Sequence, residues 1–168
     1  MDVEEALFRR RSVRKFTKEP VAEELIDKLL HAAMSGPSAV NKRPWEFYCV
    51  QDSEKLAALN KVGYASYPSP FMIIIAGNQK RFLPGPARDY WIEDVSAAAE
   101  NILLEATNLG LGACWCGVYP GALRQKQVAR ILSMSDDEIP FAIIIVGHPD
   151  GPIPEPRDQF DEKRVHKQ

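Results

Sequence analysis

Apolar residues recur at helical spacing from Glu23 to Met34 (EELIDKLLHAAM), where Leu25, Ile26, Leu29, Leu30 and Ala33 form one face. Pro20 precedes this segment and Gly36-Pro37 ends it, so a helix is predicted over 23–34. Shorter helical patterns cover Val3–Arg10, with Val3, Leu7 and Arg10 along one face, and Ser53–Lys61, with Ser53 as the expected cap. Ala122–Ser133 reads as an amphipathic helix with Leu123, Val128, Ile131 and Leu132 inward. The longest helix is predicted from Trp91 to Leu109 and carries apolar residues on more than one face, which places it in the core of a domain or of a dimer.

Strand patterns are of two kinds. Phe71–Gly77 (FMIIIAG) and Phe141–Val146 (FAIIIV) are continuously apolar and β-branched, as in strands buried on both faces. Glu46–Val50 (EFYCV) is a short strand, and Gly110–Pro120 reads as turn, short buried strand and turn. Tyr64–Pro70 and Asn78–Asp89 are loops by their turn-forming residues. Strands interspersed with helices predict an α+β or three-layer domain over residues 1–150 with both sheet faces covered. Residues 151–168 form an irregular tail that must dangle or lie across another surface.

Composition narrows the function. The 168 residues are one domain's worth, 45% hydrophobic and 26% charged, with a net charge of -2. That balance argues against a general nucleic-acid binder. Cys49, Cys114 and Cys116 cannot all pair, the opening MDVEEALF has acids where a signal peptide carries cations, and no apolar run reaches a membrane span. These features predict a cytoplasmic protein with neither nucleic-acid nor membrane partners.

Positive charge is instead local. The segment RRRSVRKF, Arg9 to Phe16, holds five cations in eight positions at the end of the first helix. Such a cluster can simply complement the helix C-terminus on a solvated face. It can also place the forks of Arg10 and Arg14 and the Ser12 hydroxyl around one phosphate monoester. No GxxxxGK[ST] or GxGxxG motif is present. The loop SGPSAVNKRPWEF offers the compact polar groups Ser38 and Asn41, with Trp45 as an aromatic wall, or it is an ordinary helix-to-strand turn. In GACWCGVYP, Cys114 and Cys116 lack zinc spacing and read as small core residues on one face of a strand, while Gly117 permits close approach of a flat ligand. His31, His148 and His166 are scattered and read as structural or exposed.

RRSVRKF at 10–16, GPSAVNKRPWEF at 36–47, the helix at 91–112, CWCGVYP at 114–120 and VGHP followed by RDQFDEKRVH together resemble the nitroreductase family of FMN-dependent oxidoreductases, over nearly the whole chain. The resemblance implies an α+β nitroreductase-like fold, a central mostly antiparallel or mixed sheet covered by helices, and a homodimer with FMN at the subunit interface. It implies that the tail packs on the partner subunit and the long helix on its dimer mate. By the same resemblance Arg10, Ser12 and Arg14 hold phosphate and ribityl oxygens, and Arg11 sits near the flavin's pyrimidine edge. Pro37, Ser38, Ala39 and Asn41 reach the flavin from the neighbouring subunit. Trp115, Gly117 and Val118 set backbone against the central ring, with the Gly117 or Val118 N–H aimed at N5, and Arg157 or Arg164 completes the phosphate site.

The implied activity is hydride transfer from NADH or NADPH to FMN and then to a nitroaromatic, quinone or similar small-molecule acceptor by a ping-pong mechanism, with no catalytic side chain and no metal. A flavin carrier or sensor without turnover, a branch acting on halogenated substrates or on flavin itself, and a phosphoprotein-binding module are the other readings. Some longer relatives carry an acid where Gly117 stands and a helical lid over the flavin; the short interval from Gly77 to Trp91 implies a trimmed lid and a more open site.

Overall fold

The two continuous apolar runs pair with each other at the centre of an antiparallel sheet, which is why neither shows polar alternation. In the computed structural model, residues 1–62, 67–156 and 159–168 are described. Their four strands are β1 (Trp45–Val50), β2 (Phe71–Asn78), β3 (Gly112–Gly117) and β4 (Glu138–Gly147), in the spatial order β1-β2-β4-β3. The sheet of this α+β fold is antiparallel throughout.

Helices cover both faces. On one lie α1 (Val3–Arg9), α2 (Glu23–Met34) and α4 (Tyr90–Asn108); on the other lie α3 (Ser53–Asn60) and α5 (Ala122–Leu132). Ile73, Ile75 and Ile144 point into the α2–α4 layer with Leu29, Val95 and Ile102. Met72, Ile74 and Ile145 point into the other with Leu59 and Val128. This alternation of two fully apolar strands, interrupted by a register shift at Ile75/Ala76, produces two cores, one on each side of the sheet.

Three local expectations change. Asp52, not Ser53, caps α3, because the Asp52 carboxylate accepts the Lys55 N–H at 2.9 Å from an extended backbone. Leu123 is 72% exposed and does not belong to the inward face of α5, which Val128, Ile131 and Leu132 carry as expected. The stretch expected to be loop after β2 contains 3₁₀ turns at Gln79–Arg81 and Gly85–Asp89. The long helix already meets the sheet, α1 and α2 within one chain, so its apolar breadth has an internal cause. Among the described residues no helix is long and apolar enough to cross a membrane. The tail is exposed along its whole described length and is irregular apart from one 3₁₀ turn at Glu162–Arg164.

Candidate functional site

β3 is an edge strand, and the basic segment docks against its open side. The Val13 N–H donates to the Ala113 carbonyl at 2.9 Å, and Ser12 forms a parallel bridge with Ala113. Further along, the Thr17 N–H donates to His148 O at 2.9 Å and the Asp150 N–H to Lys15 O at 3.0 Å. Residues 12–17 are thus extended and clamped between β3 and the chain leaving β4. Gly112 makes the docking possible, since a Cβ there would stand 2.6 Å from Val13 Cγ1.

With Val13 turned toward Gly112, Ser12 and Arg14 alternate to the other side and are exposed. The Arg14 guanidinium donates to Ser12 O at 3.5 Å and lies over the Tyr67 ring at 5.4 Å. Ser12, Arg14 and Lys15 line a cleft of about 190 Å³ closed on its far side by Pro149, Gly151 and Pro152, with Asp150 also at its wall. Arg10 is not part of that cleft: its Nε pairs with Glu100 of α4 at 3.2 Å. Arg11, the next residue, is half-buried. Arg164 pairs with Asp161 of its own turn at 3.1 Å, its side chain 85% exposed, and Arg157 lies outside the described residues.

Below Arg14 the strand places Cys114 and Cys116 on one face, as expected of an i, i+2 pair. They are more than small core residues. The Cys114 thiol donates weakly to Trp115 O at 3.8 Å, and interaction with the Cys116 thiol, with Arg14 and Ser12 adding to it against the cost of burial, brings Cys114 down to about 6. Cys116, half-buried beside it, is pushed up by its interaction with Cys114 and by burial. The two thiols titrate as a pair, with Cys114 the more acidic of them.

The outer edge of β3 presents backbone groups. In the β3–β4 register, Ala113, Trp115 and Gly117 alternate with Gly112, Cys114 and Cys116. The Ala113 carbonyl accepts from Val13, and the Gly117 carbonyl accepts from Arg124 Nη1 at 2.9 Å, so the odd-numbered residues turn their amides away from β4. The Gly117 N–H thus faces the open edge, and a Cβ at Gly117 would meet nothing within 4 Å. Val118 differs from expectation: its N–H donates to Phe141 O at 3.0 Å and its side chain is buried, which removes it as an outward donor. Trp115 is half-buried with its ring edge-on to Phe141 at 5.6 Å.

The Pro37–Asn41 loop is held under backbone strain. Val40, Asn41 and Arg43 have φ of 52°, 54° and 48°, left-handed values that cost on the order of 1 kcal/mol or more for a residue with a side chain. Short polar bonds offset this. Ser38 Oγ accepts the Arg43 N–H at 3.0 Å, Asn41 Oδ1 accepts from Arg43 Nε at 2.7 Å, and the Ala39 N–H donates to Asp94 Oδ1 at 2.7 Å. Pro37 is exposed, and Val40 at the tip is 79% exposed. Trp45 cannot be an aromatic wall for a ligand, because it is buried in the α2–α4 core. Asp94 escaped the sequence reading; beside Glu93, and with Glu100 and Glu105 on the same helix, it looks like any solvated acid.

A phosphate monoester fits the cleft between residues 12–15 and 149–152, where two cations, a hydroxyl and one acid meet. A flat ring system fits the edge beside Gly117, where an N–H faces out and no side chain intrudes.

The Nitroreductase family model matches residues 7–69 and 63–148. A Methanothermobacter thermautotrophicus protein provisionally named NADH dehydrogenase/NAD(P)H nitroreductase is 44% identical over 99% of this chain and 86% of its own. An Archaeoglobus fulgidus protein of the same name is 34% identical over 96% of this chain and 95% of its own. Among solved structures, an FMN-dependent nitroreductase from Clostridium difficile superposes with a TM-score of 0.87 at 33% identity, covering 96% of each chain. With an α+β fold in common with these structures and a family match along most of its length, this chain belongs to the nitroreductase family.

Proposed function

We propose that the chain is an FMN-dependent NAD(P)H oxidoreductase that acts as a homodimer on a nitroaromatic, quinone or similar conjugated acceptor. The observation that carries this is the adjacency, along one sheet edge, of the Ser12–Lys15 cleft and the outward amide at Gly117. The names of similar proteins, an FMN reductase (NAD(P)H) from Bacillus subtilis and an FMN-dependent nitroreductase from Clostridium difficile, support the cofactor and the donor.

Bound flavin supplies two-electron hydride chemistry. The Ser12 hydroxyl, the Arg14 fork and the Lys15 ammonium bind the phosphate, with Arg10 released from Glu100 as a further cation and Arg11 directed to the pyrimidine edge. The Gly117 N–H donates toward the reactive centre of the ring, a role Val118 leaves to it. Pro37, Ser38, Ala39 and Asn41 cover the ring from the partner subunit, and Trp115 backs the strand that carries Gly117. With one face of the ring against protein, donor and acceptor use the other in turn, which is a ping-pong scheme. No side chain has to act as nucleophile or general acid. Exposed Val3, Leu7 and Phe8 on α1 support a partner surface, and residues 151–168, with Arg157 or Arg164, lie on that partner.

The purified protein is expected to be yellow, to oxidise NADH or NADPH steadily with a quinone, and to give parallel double-reciprocal plots. Arg10→Ala with Arg14→Ala should weaken FMN at least about tenfold, since each charge-assisted bond contributes roughly 1.5–3 kcal/mol. Undiminished FMN affinity in that double variant refutes the phosphate assignment. A yellow protein with no turnover refutes the activity.

A further inference from the structure

We propose that Asp94 is a positioning residue: its carboxylate, buried in α4, grips the Ala39 amide and holds the Pro37–Arg43 loop in the shape that meets the flavin. The role rests on the reading of that loop as part of the FMN site.

Asp94 is the charged side chain that the core retains among the described residues, 6% exposed between Trp91 and Ala98 on α4. A buried carboxylate is retained only where something satisfies it. Here it accepts the Ala39 N–H at 2.7 Å across 55 positions of sequence. Burial, with Glu93 adding to it, raises the carboxyl's pKa overall, and the Ala39 bond pulls against that rise, so the amide is what favours the charged acceptor. Ala39 lies immediately before Val40, a β-branched residue at φ 52° that has no intrinsic preference for that conformation. With Asn41 and Arg43 also left-handed, the loop relaxes unless its start is pinned.

The pin belongs to a larger device. Asn101 lies two helical turns beyond Asp94, on the same face of α4, and its Nδ2 donates to Ala32 O at 3.0 Å near the end of α2. One face of α4 therefore fixes the α2–β1 connection on both sides of Gly36. The side chains of Ser38 and Asn41, by contrast, bond within the loop, to Arg43, so they shape it without tying it to α4.

Four variants test this on the full-length protein: Asp94→Ala, Asp94→Leu, Asp94→Asn and the distant core variant Val128→Ala as a stability control. Leu has the branched heavy-atom skeleton of Asp, in a larger apolar form without the desolvation cost, and so fills the site if Ala loses the fold. Asn keeps a carbonyl acceptor for the Ala39 amide. The first readout is tryptic cleavage of the exposed Lys42–Arg43 bond in flavin-free protein. The second is FMN affinity by fluorescence titration, together with the visible flavin band. We expect Ala and Leu to speed cleavage and weaken FMN binding by about tenfold or more. Asn should stay within about threefold of wild type on both. Unchanged cleavage in the Ala and Leu variants, or equal acceleration in Val128→Ala at matched loss of Tm, overturns the role of Asp94. Accelerated cleavage with undiminished FMN affinity keeps the grip and overturns the placing of this loop on the flavin.

Discussion

Gly112→Ala perturbs the proposed cofactor site without touching any residue proposed to bind the cofactor. The new Cβ would stand 2.6 Å from Val13 Cγ1, 2.7 Å from Val13 Cβ and 3.2 Å from Phe16 Cε1. Carbon atoms pack best at about 3.5–4.0 Å, so the overlap with Val13 is about 1 Å. A rotamer change moves Cγ1 but not Cβ, which is fixed to the backbone. That backbone is tied to Ala113 by the 2.9 Å bond from Val13 N–H, one residue from the substitution. The segment must therefore shift bodily, at an overpacking cost of about 2 kcal/mol. For a chain of this size that lowers Tm by about 4–8 °C.

Ser12 and Arg14 flank Val13 and move with it, so FMN affinity should fall about tenfold, the equivalent of 1.4 kcal/mol. Thermal melts and FMN fluorescence titrations read the two effects separately. Gly117→Ala on the same strand supplies the contrast: its Cβ meets open space, and Gly117 is not among the positive-φ glycines. Its Tm should hold or rise, since glycine replacement at a compatible position gains about 0.4–1 kcal/mol, while FMN affinity falls because the methyl enters the ring's space. An unchanged Tm in Gly112→Ala refutes the packing argument. A lowered Tm with full FMN affinity refutes the phosphate cleft, and full affinity in Gly117→Ala refutes the placing of the ring.

Two further outcomes can be checked. The Cys114 thiolate should titrate in ultraviolet absorbance with a midpoint near 6, and Cys116→Ala should raise that midpoint more than Arg14→Ala, following the order of causes. Because the folded value is depressed, the stability this thiolate contributes is complete above its ordinary value of 9.0 and is lost as pH falls through about 6; urea melts across that range should show it, and a midpoint near 9 would refute the thiol pairing. Deleting residues 151–168 should weaken FMN binding and the dimer together, read by titration and light scattering; a deleted chain that stays dimeric and yellow refutes the tail's role.

How much of this was legible beforehand depends on the range of the interaction. β2 and β4 stood out as central because continuous apolar β-branched runs suit only strands covered on both faces. α2 was readable to the residue, between a proline and a Gly-Pro stop. The cap of α3 was not: Asp52 and Ser53 are both competent acceptors, and backbone geometry chose between them. Leu123 and Trp45 exchanged their expected surroundings, since one apolar side chain does not say which neighbour will cover it. Of the arginine segment, the spacing identified Ser12 and Arg14 as partners, but it could not show that Arg10 turns to Glu100.

The amino-acid sequence by itself determined the layers of this molecule, because hydrophobic spacing is a local record of how each element will be covered. It also marked the cationic segment, since five cations in eight positions need no fold to be noticed. Only tertiary structure decided that Val13 packs on Gly112, that Arg14 lies over Tyr67 and that Asp94 holds Ala39. Those contacts join residues far apart in the chain, and their partners are selected by strand register and helix face, which no single segment encodes.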